Sequence, residues 1–249
     1  MAAPLLTAQG IEKSFGALPV LNGVDFTVAP GEAVGIVGPN GAGKTTLLNV
    51  LAGALRPDRG RIIFLGEDIT RLDLAARCRR GIGRSHQIPR PFGGMTVFEN
   101  VLLAARAGGG LGAKAAEEEA FTALERSGLL PLANRRAASL GLLQRKRLEL
   151  ARALATRPRL LLLDEIGGGL TDAEADGLVA TIRTLLAEGI AVVWIEHIVH
   201  VLVQVITRLV CMDQGRVLAE GAPEAVLSNA AVIDAYLGAK GKTPHALGA

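Results

Sequence analysis

The sequence has 249 residues, of which 49% are hydrophobic and 31 are glycine, a composition that excludes extensive disorder and allows one large domain or two closely packed lobes. Its 27 Lys and Arg against 24 Asp and Glu give a net charge of +3, which does not indicate a nucleic-acid partner. The two cysteines, Cys78 and Cys211, lack zinc-ligand spacing and suit a reducing cytosol.

The chain starts with "MAAPLLTAQGIEKSFG", which has no cationic residues before its short apolar run, so we expect neither a secretion signal nor an anchor there. The most apolar stretch is "AVVWIEHIVHVLVQVITRLVCM", but charged and polar residues divide it before a membrane span of ~18 residues is reached. The mean hydropathy of +0.35 is high for a soluble protein and favours a partner surface or a subunit of a membrane complex.

Strand patterns dominate the first part of the chain. "LLTAQGIEKSF" and "GVDFTVAPGE" resemble the two strands of a hairpin, and "GRIIFLGEDI" has the same character, which predicts a small antiparallel sheet. "AVGIVG", "LLLLDE" and "AVVWIEH" are short apolar runs of buried strands, separated by helical segments. This alternation predicts an α/β fold with a largely parallel sheet.

The segment from about 88 to 158 is mostly helical and predicts a helical lobe inserted into the α/β domain. Thr96 and Glu99 have the spacing of a capping box at a helix start, and Thr171 and Glu174 repeat it later. We expect one domain over 5–238 and a flexible tail over 239–249.

A phosphate-binding motif follows the first buried strand. "GPNGAGKT" fits G-x-x-x-x-G-K-[ST] and opens the helix "KTTLLNVLAG". Backbone N–H groups of such a loop surround a triphosphate, Lys44 reaches the terminal phosphates, and the Thr45 hydroxyl can bind Mg²⁺. The predicted nucleotide-binding residues here are Gly38, Pro39, Asn40, Gly41, Ala42, Gly43, Lys44, Thr45 and Thr46.

Polar residues also follow the other two buried strands. Asp164 can hold Mg²⁺ through water, and Glu165 can take a proton from an attacking water. Because side chains alternate along a strand, we expect these two acids to face different ways. His197 alone would be read as structural, but the carboxyl ends of parallel strands meet at one edge of the sheet, which favours a role for it at the same site.

These motifs together resemble the ATP-binding cassette subunit of an ABC transporter, over Leu5 to about Gly238. The resemblance implies a P-loop NTPase with a RecA-like sheet, and it implies that Gln87 lies at Mg²⁺ and the attacking water. Phe15 stands where the family stacks an aromatic ring on adenine, although a core phenylalanine is nearly as plausible from the residues alone. The stretches "GIGRSHQ…MTVFENV" and "VLAEGAPEAVLSNAAVIDAYLG" are similar to cassettes for branched-chain amino acids, amides or urea.

"LGLLQ" occupies the place of the family signature LSGGQ, which touches the γ-phosphate held by the opposite subunit. The signature residues of this chain are Leu140, Gly141, Leu142, Leu143 and Gln144. Gly141 replaces the serine and two leucines replace the glycines, with Leu143 as the sharper departure because glycine there can adopt positive φ. Ile166 replaces a proline after the acids, and Thr171 replaces an acid or asparagine.

The resemblance therefore implies an ATP-hydrolysing subunit of an importer, using ATP and Mg²⁺, with a second cassette and transmembrane permease subunits as partners. Such a subunit sits in the cytoplasm on the inner face of the cell membrane. Two alternatives stay open: a cassette that mainly binds ATP and relies on a more active partner, or a soluble ABC ATPase without a transport role.

Overall fold

The computed structural model describes residues 3–240, and the side chains of residues 3–236. A four-stranded sheet with antiparallel pairing has the strand order β2-β1-β4-β5. This is the small antiparallel sheet predicted from the sequence. Its strands are β1 (Leu6–Phe15), β2 (Leu18–Val28), β4 (Arg59–Phe64) and β5 (Glu67–Asp68).

A six-stranded sheet forms the centre of the molecule, with the order β10-β9-β3-β8-β7-β6. Its pairs are parallel except β10 with β9, which confirms the predicted α/β class. Its strands are β3 (Ala33–Val37), β6 (Ile82–Arg84), β7 (Leu160–Asp164), β8 (Ala191–Ile195), β9 (Arg208–Asp213) and β10 (Arg216–Gly221).

Helices connect and cover the strands. Two short 3₁₀ turns, Leu130–Leu132 and Ala137–Ser139, precede the fifth α-helix. The α-helices are α1 (Lys44–Ala52), α2 (Leu74–Arg79), α3 (Val97–Ala107), α4 (Ala113–Arg126), α5 (Leu142–Leu154), α6 (Asp172–Ala187), α7 (Val199–Leu202), α8 (Pro223–Leu227) and α9 (Ala230–Lys240). Within residues 3–240, no helix is long and apolar enough to cross a lipid bilayer.

The central sheet is covered on both faces. Leu160 and Leu162 of β7 belong to the core shared with α1 and the antiparallel sheet, whereas Leu161 and Leu163 belong to the core shared with α3 to α6. This is the two-residue period of a strand buried on both sides. The carboxyl ends of β3, β8, β7 and β6, four neighbouring strands, consequently lie along one edge and carry the candidate site.

Helices α3, α4 and α5 lie between β6 and β7 in the chain and pack together around buried Val101, Ala120 and Leu148. The capping box at α3 is complete, because the Thr96 hydroxyl accepts the Glu99 N–H and the Glu99 carboxylate accepts the Thr96 N–H. At α6, the Thr171 N–H donates to Glu174 Oε2 at 2.8 Å.

The flexible tail predicted for residues 239–249 overlaps the last two residues of helix α9. Helix α9 continues through residues 239 and 240, so these two positions are helical. The rest of that tail, residues 241–249, lies outside the described residues.

Candidate nucleotide-binding and catalytic site

The phosphate loop, residues 38–45, joins β3 to α1, and its glycines are required by the backbone. Gly43 has φ of +98°, and a Cβ there would lie 2.8 Å from the Val20 carbonyl oxygen. Gly38 has φ of +147°, and a Cβ at that position would collide with the Met212 carbonyl oxygen. A side chain at either position would be strained and crowded, so the loop keeps its shape only with glycine.

Lys44 is the first residue of α1, and its side chain is folded back over the loop. Its Nζ donates to the carbonyl oxygens of Gly38 at 2.7 Å and Pro39 at 3.0 Å, and the residue is only 6% exposed. Burial lowers the pKa of Lys44, and the nearby charges of Glu165 and Asp164 act in the opposite direction. A buried ammonium group at a helix N-terminus is well suited to bind phosphate.

A cavity of about 300 Å³ opens at this loop. Seven consecutive predicted residues, Asn40–Thr46, line it together with Glu165, which lies far away in sequence. Leu18 and Val20 of β2 complete the wall. Sequence reasoning missed these two residues, because nothing in their pattern distinguishes them from other strand residues.

Phe15 lies at the end of β1, opposite Leu18 in the hairpin. Its ring is half exposed, and Lys13 Nζ lies 5.9 Å from the ring centroid. This exposure rules out the core phenylalanine that was the alternative reading. Phe15 is adjacent to the cavity through Leu18 and does not itself line the cavity.

Asp164, the last residue of β7, forms a buried ion pair that the sequence did not suggest. Its Oδ2 lies 3.5 Å from Arg84 Nη2, and Arg84 Nη1 donates to Asn49 Oδ1 of α1 at 2.5 Å. Burial raises the pKa of Asp164, and the Arg84 guanidinium partly opposes this effect. The one signal in the sequence for the contact of Arg84 with Asp164 is that Arg84 lies three residues before Gln87.

Glu165 has an unusual backbone conformation for a residue with a side chain. Its φ is +48°, in the left-handed region, and its N–H donates to the Ile195 carbonyl oxygen at 2.9 Å. The sequence predicted that the side chains of Asp164 and Glu165 face different ways because side chains alternate along a strand. This reason does not apply, because β7 ends at Asp164 and the backbone of Glu165 is left-handed. A left-handed glutamate costs about 1–3 kcal/mol and is typical of functional sites.

Both oxygens of the Glu165 carboxylate are hydrogen-bonded. His197 Nε2 lies 2.8 Å from Oε1, and Gln87 Nε2 donates to Oε2. The three predicted catalytic residues, which come from the ends of β6, β7 and β8, thus meet at the rim of the phosphate cavity. An acid between a histidine and a glutamine is suited to orient and deprotonate a water molecule.

The signature segment lies at the start of α5, and one of its residues, Leu143, lines a different cavity of about 200 Å³ between α4, α5 and α6. Gly141 is the N-cap, and its N–H donates to Gln144 Oε1 at 3.2 Å, which is one half of a capping box without the hydroxyl of the other half. Leu140 is buried.

The two leucines of this segment face different surroundings. Leu143 lines the cavity beside Ile166, so the two departures from the family pattern pack into one space. Its backbone is helical, so Leu143 does not adopt the positive φ that is open to a glycine at this position. Leu142, by contrast, is 61% exposed and projects from the helix start.

Comparison with known proteins gives consistent results. A family model described as ABC transporter matches residues 21–167, and one described as branched-chain amino acid ATP-binding cassette transporter matches residues 216–241. The high-affinity branched-chain amino acid transport ATP-binding protein BraF of Pseudomonas aeruginosa is 39% identical over 253 residues, which cover 96% of this chain and 99% of that protein.

Solved structures agree with the fold. An ATP-binding cassette of an ABC transporter in its ADP conformation superposes with a TM-score of 0.85 at 34% identity, covering 95% of this chain and all of that one. A dimeric post-hydrolysis structure of an ATP-binding cassette bound to ADP and Pi gives 0.79 at 25% identity, covering 88% and 98%. The chain belongs to the ABC transporter family, in which it is an ATP-binding cassette with ATPase activity.

Proposed function

We propose that this cassette hydrolyses ATP in a dimer that energises an importer for branched-chain amino acids or related small polar solutes. The observation that carries the proposal is the placement of Glu165 between Gln87 and His197 at the rim of the phosphate cavity. The matches to a branched-chain amino acid family model and to BraF support the solute class and favour transport over a soluble ABC ATPase.

Lys44 and the backbone N–H groups of residues 40–45 hold the β- and γ-phosphates, and the ring of Phe15 stacks on the adenine at the other end of the nucleotide. Glu165 takes a proton from the attacking water, and His197 contacts the γ-phosphate. Gln87 orients the water and transmits the state of the site to the membrane subunits. Positioning and charge stabilisation supply most of the rate enhancement in such a reaction.

Mg²⁺ fits the residues at the end of β7. Among the residues that the structure describes, no group donates a hydrogen bond to Asp164 Oδ1, although this atom is buried. A buried carboxylate oxygen without a partner is unusual unless it meets water or a cation. Thr45, Asp164 and Gln87 would hold the ion, which neutralises charge on the phosphates when it is bound.

The dimer pairs the phosphate loop of each cassette with the signature segment of the other. The dimeric post-hydrolysis cassette supports this assembly by likeness. A second candidate function, a cassette that binds ATP and depends on a more active partner, is favoured by Gly141, which lacks a hydroxyl, and by the exposed Leu142. These changes affect the nucleotide of the partner and leave this chain's own phosphate loop intact.

We assign the permease contact to the segment after Gln87. Ile88 and Phe92 are large apolar side chains with 67% and 49% exposure. The Phe92 N–H donates to Asn100 Oδ1 at 2.8 Å, so the segment is anchored to α3 while its apolar groups face outward. The helical lobe of residues 88–158 within the 5–238 domain then carries the docking surface, and the cassette lies on the inner face of the cell membrane.

The experiment is purification of the tagged full chain from native membranes, identification of the recovered subunits and reconstitution in vesicles. We expect permease subunits and leucine uptake that requires ATP on the cassette side. An intact complex that hydrolyses ATP without transporting leucine, isoleucine or valine would contradict the solute class. Recovery of the chain without any membrane subunit would contradict the transport role.

A further inference from the structure

Glu196 is a buried carboxylate next to the catalytic histidine. It is 2% exposed and has no position in the family motifs used above. Its Oε2 accepts the N–H of His197 at 3.1 Å, and its Oε1 accepts the N–H of Gly167, two residues after Glu165. One side chain therefore holds the backbone on both sides of the His197–Glu165 contact.

Position 167 is a glycine, and the absence of a side chain there leaves room for the Glu196 carboxyl group. A Cβ on Gly167 would lie 2.7 Å from Glu196 Oε1, which is closer than atoms in normal contact approach. Glycine thus permits a carboxyl oxygen of Glu196 to reach the backbone amide directly. Burial raises the pKa of Glu196, and the backbone N–H groups of Gly167 and His197 oppose that effect.

A lysine of helix α5 also contacts the backbone after Glu165. Lys146 Nζ of α5 donates to the Gly168 carbonyl oxygen. Its charge is also near Glu196 and Glu165, since both carboxylates act on the pKa of Lys146 against the effect of burial. The two residues after Ile166 are therefore fixed by Glu196 at one amide and by Lys146 at the next carbonyl.

We propose that Glu196 is a positioning residue, which sets His197 and the backbone after Glu165 so that the imidazole and the carboxylate meet. This inference rests on the proposed function, because it assigns Glu196 an effect on turnover only through His197 and Glu165. Glu196 reaches neither the phosphate loop nor its cavity.

The test is Glu196→Gln in the full chain assembled with its membrane subunits. A glutamine has one acceptor oxygen, so it satisfies one of the two N–H groups and turns an NH₂ toward the other. With one of the two N–H groups left without its acceptor, His197 and the backbone after Glu165 lose their alignment, so we expect kcat to fall by roughly 10- to 100-fold with KM for ATP unchanged. The matched control is Glu119→Gln, which makes the same change in a buried carboxylate paired with Arg157 in the helical lobe.

A double-mutant cycle separates positioning from a general structural effect. In a His197→Ala background, Glu196→Gln should change kcat less than about twofold, because the contact between the imidazole and the Glu165 carboxylate, through which Glu196 acts, is already absent. Equal losses in both backgrounds, or a change in KM with constant kcat, would overturn the proposal. Gly167→Ala approaches the same contact from the other side and should reproduce the loss if Glu196→Gln does not fold.

The position of His197 can also be tested in the isolated full chain, because its imidazole resonances can be measured without turnover. We expect the imidazole resonances of His197, assigned by their loss in His197→Ala, to move in Glu196→Gln and to stay in Glu119→Gln. Unmoved His197 resonances would overturn the inference. A wild-type complex without turnover, or full turnover in His197→Ala, would instead refute the proposed function, so the two failures are distinguishable.

Discussion

His197 Nε2 lies 2.8 Å from Glu165 Oε1, although the two residues are 32 positions apart in the chain. They meet because β7 and β8 are parallel neighbours in which Asp164 pairs with Ile195, so both residues follow at the same edge of the sheet. Gln87 holds the second oxygen of Glu165. The contacts identify Glu165 as the group on which the other two act.

Glu165→Gln should keep ATP binding and lose turnover. An amide cannot accept the proton of the attacking water, and the loss of a general base costs ~10²–10⁴ in rate. Phosphate release measures the loss, and sizing in ATP should show an accumulated dimer. The control is Glu117→Gln, an exposed carboxylate on α4, which should behave as wild type. A monomeric Glu165→Gln with normal turnover would contradict the assignment.

Lys44→Ala should abolish nucleotide binding and turnover. The ammonium group is buried against the loop, so water cannot replace its charge on the β- and γ-phosphates. Nucleotide titration and phosphate release test both effects. Lys114→Ala, at an exposed position of α4, serves as the control. Undiminished hydrolysis in Lys44→Ala would show that the loop has another role.

Gly141→Ser combined with Leu142→Gly should raise the ATPase rate of the assembled complex. The serine supplies the missing hydroxyl at the N-cap of α5, and the glycine removes an exposed side chain from the helix start, which faces the partner's nucleotide in the dimer proposed above. ATP affinity of the isolated chain should stay unchanged, because its own phosphate loop is untouched. An unchanged or lower rate would mean that "LGLLQ" is already the working form.

Leu143→Gly, unlike the combination of Gly141→Ser and Leu142→Gly, should destabilise the protein without raising the ATPase rate. Leu143 lines the cavity shared with Ile166, so its removal loses packing and places glycine in the first turn of a helix. We expect a loss of about 2 kcal/mol in the free energy of unfolding and no gain in rate. Urea denaturation measures the first, and a higher ATPase rate would contradict the second.

Phe92→Ala should reduce recovery of the membrane subunits and leave ATP binding by the isolated chain unchanged. The ring is half exposed and stacks on Arg152 with 5.4 Å between the guanidinium carbon and the ring centroid, so it is presented in a fixed position. The matched control is Phe121→Ala on α4, where a phenylalanine of similar exposure packs on Phe98. Equal recovery of the membrane subunits with wild type, Phe92→Ala and Phe121→Ala would show that Phe92 does not contribute to the interface.

Arg77→Met should strongly destabilise the fold. Arg77 is fully buried and donates to carbonyl oxygens at the end of α1, including Val50 at 2.7 Å and Leu51 at 2.9 Å. Methionine keeps much of the volume but removes these side-chain donors, while the Val50 oxygen keeps the Gly53 N–H at 3.2 Å; we expect the loss to cost about 3 kcal/mol or more for the set. Urea unfolding tests this, with exposed Arg79→Met on the same helix as the control. A difference below about 1 kcal/mol between the two variants would refute it.

The local patterns of the chain were sufficient for the class of fold and for the phosphate loop. "GPNGAGKT" specifies its own conformation through glycines at positions where the backbone needs them, and the strand and helix periods on either side place it at the edge of a sheet. Because the carboxyl ends of parallel strands lie along one edge of a sheet, the sequence also predicted that Asp164, Glu165 and His197 lie close together, although it did not predict their contacts.

The contacts between distant residues depended on the tertiary structure. Arg84 on Asp164, Glu196 on Gly167 and Lys146 on Gly168 join residues that no local period relates, because each pair is formed by the packing of separate strands and helices. The left-handed backbone of Glu165 and the different surroundings of exposed Leu142 and half-buried Leu143 likewise depend on how β7 ends and on the cavity beside α5. The sequence by itself determined which chemical groups are present and at which edge they gather; the three-dimensional packing decided their partners and directions, since hydrogen bonds and burial depend on distances that sequence spacing does not contain.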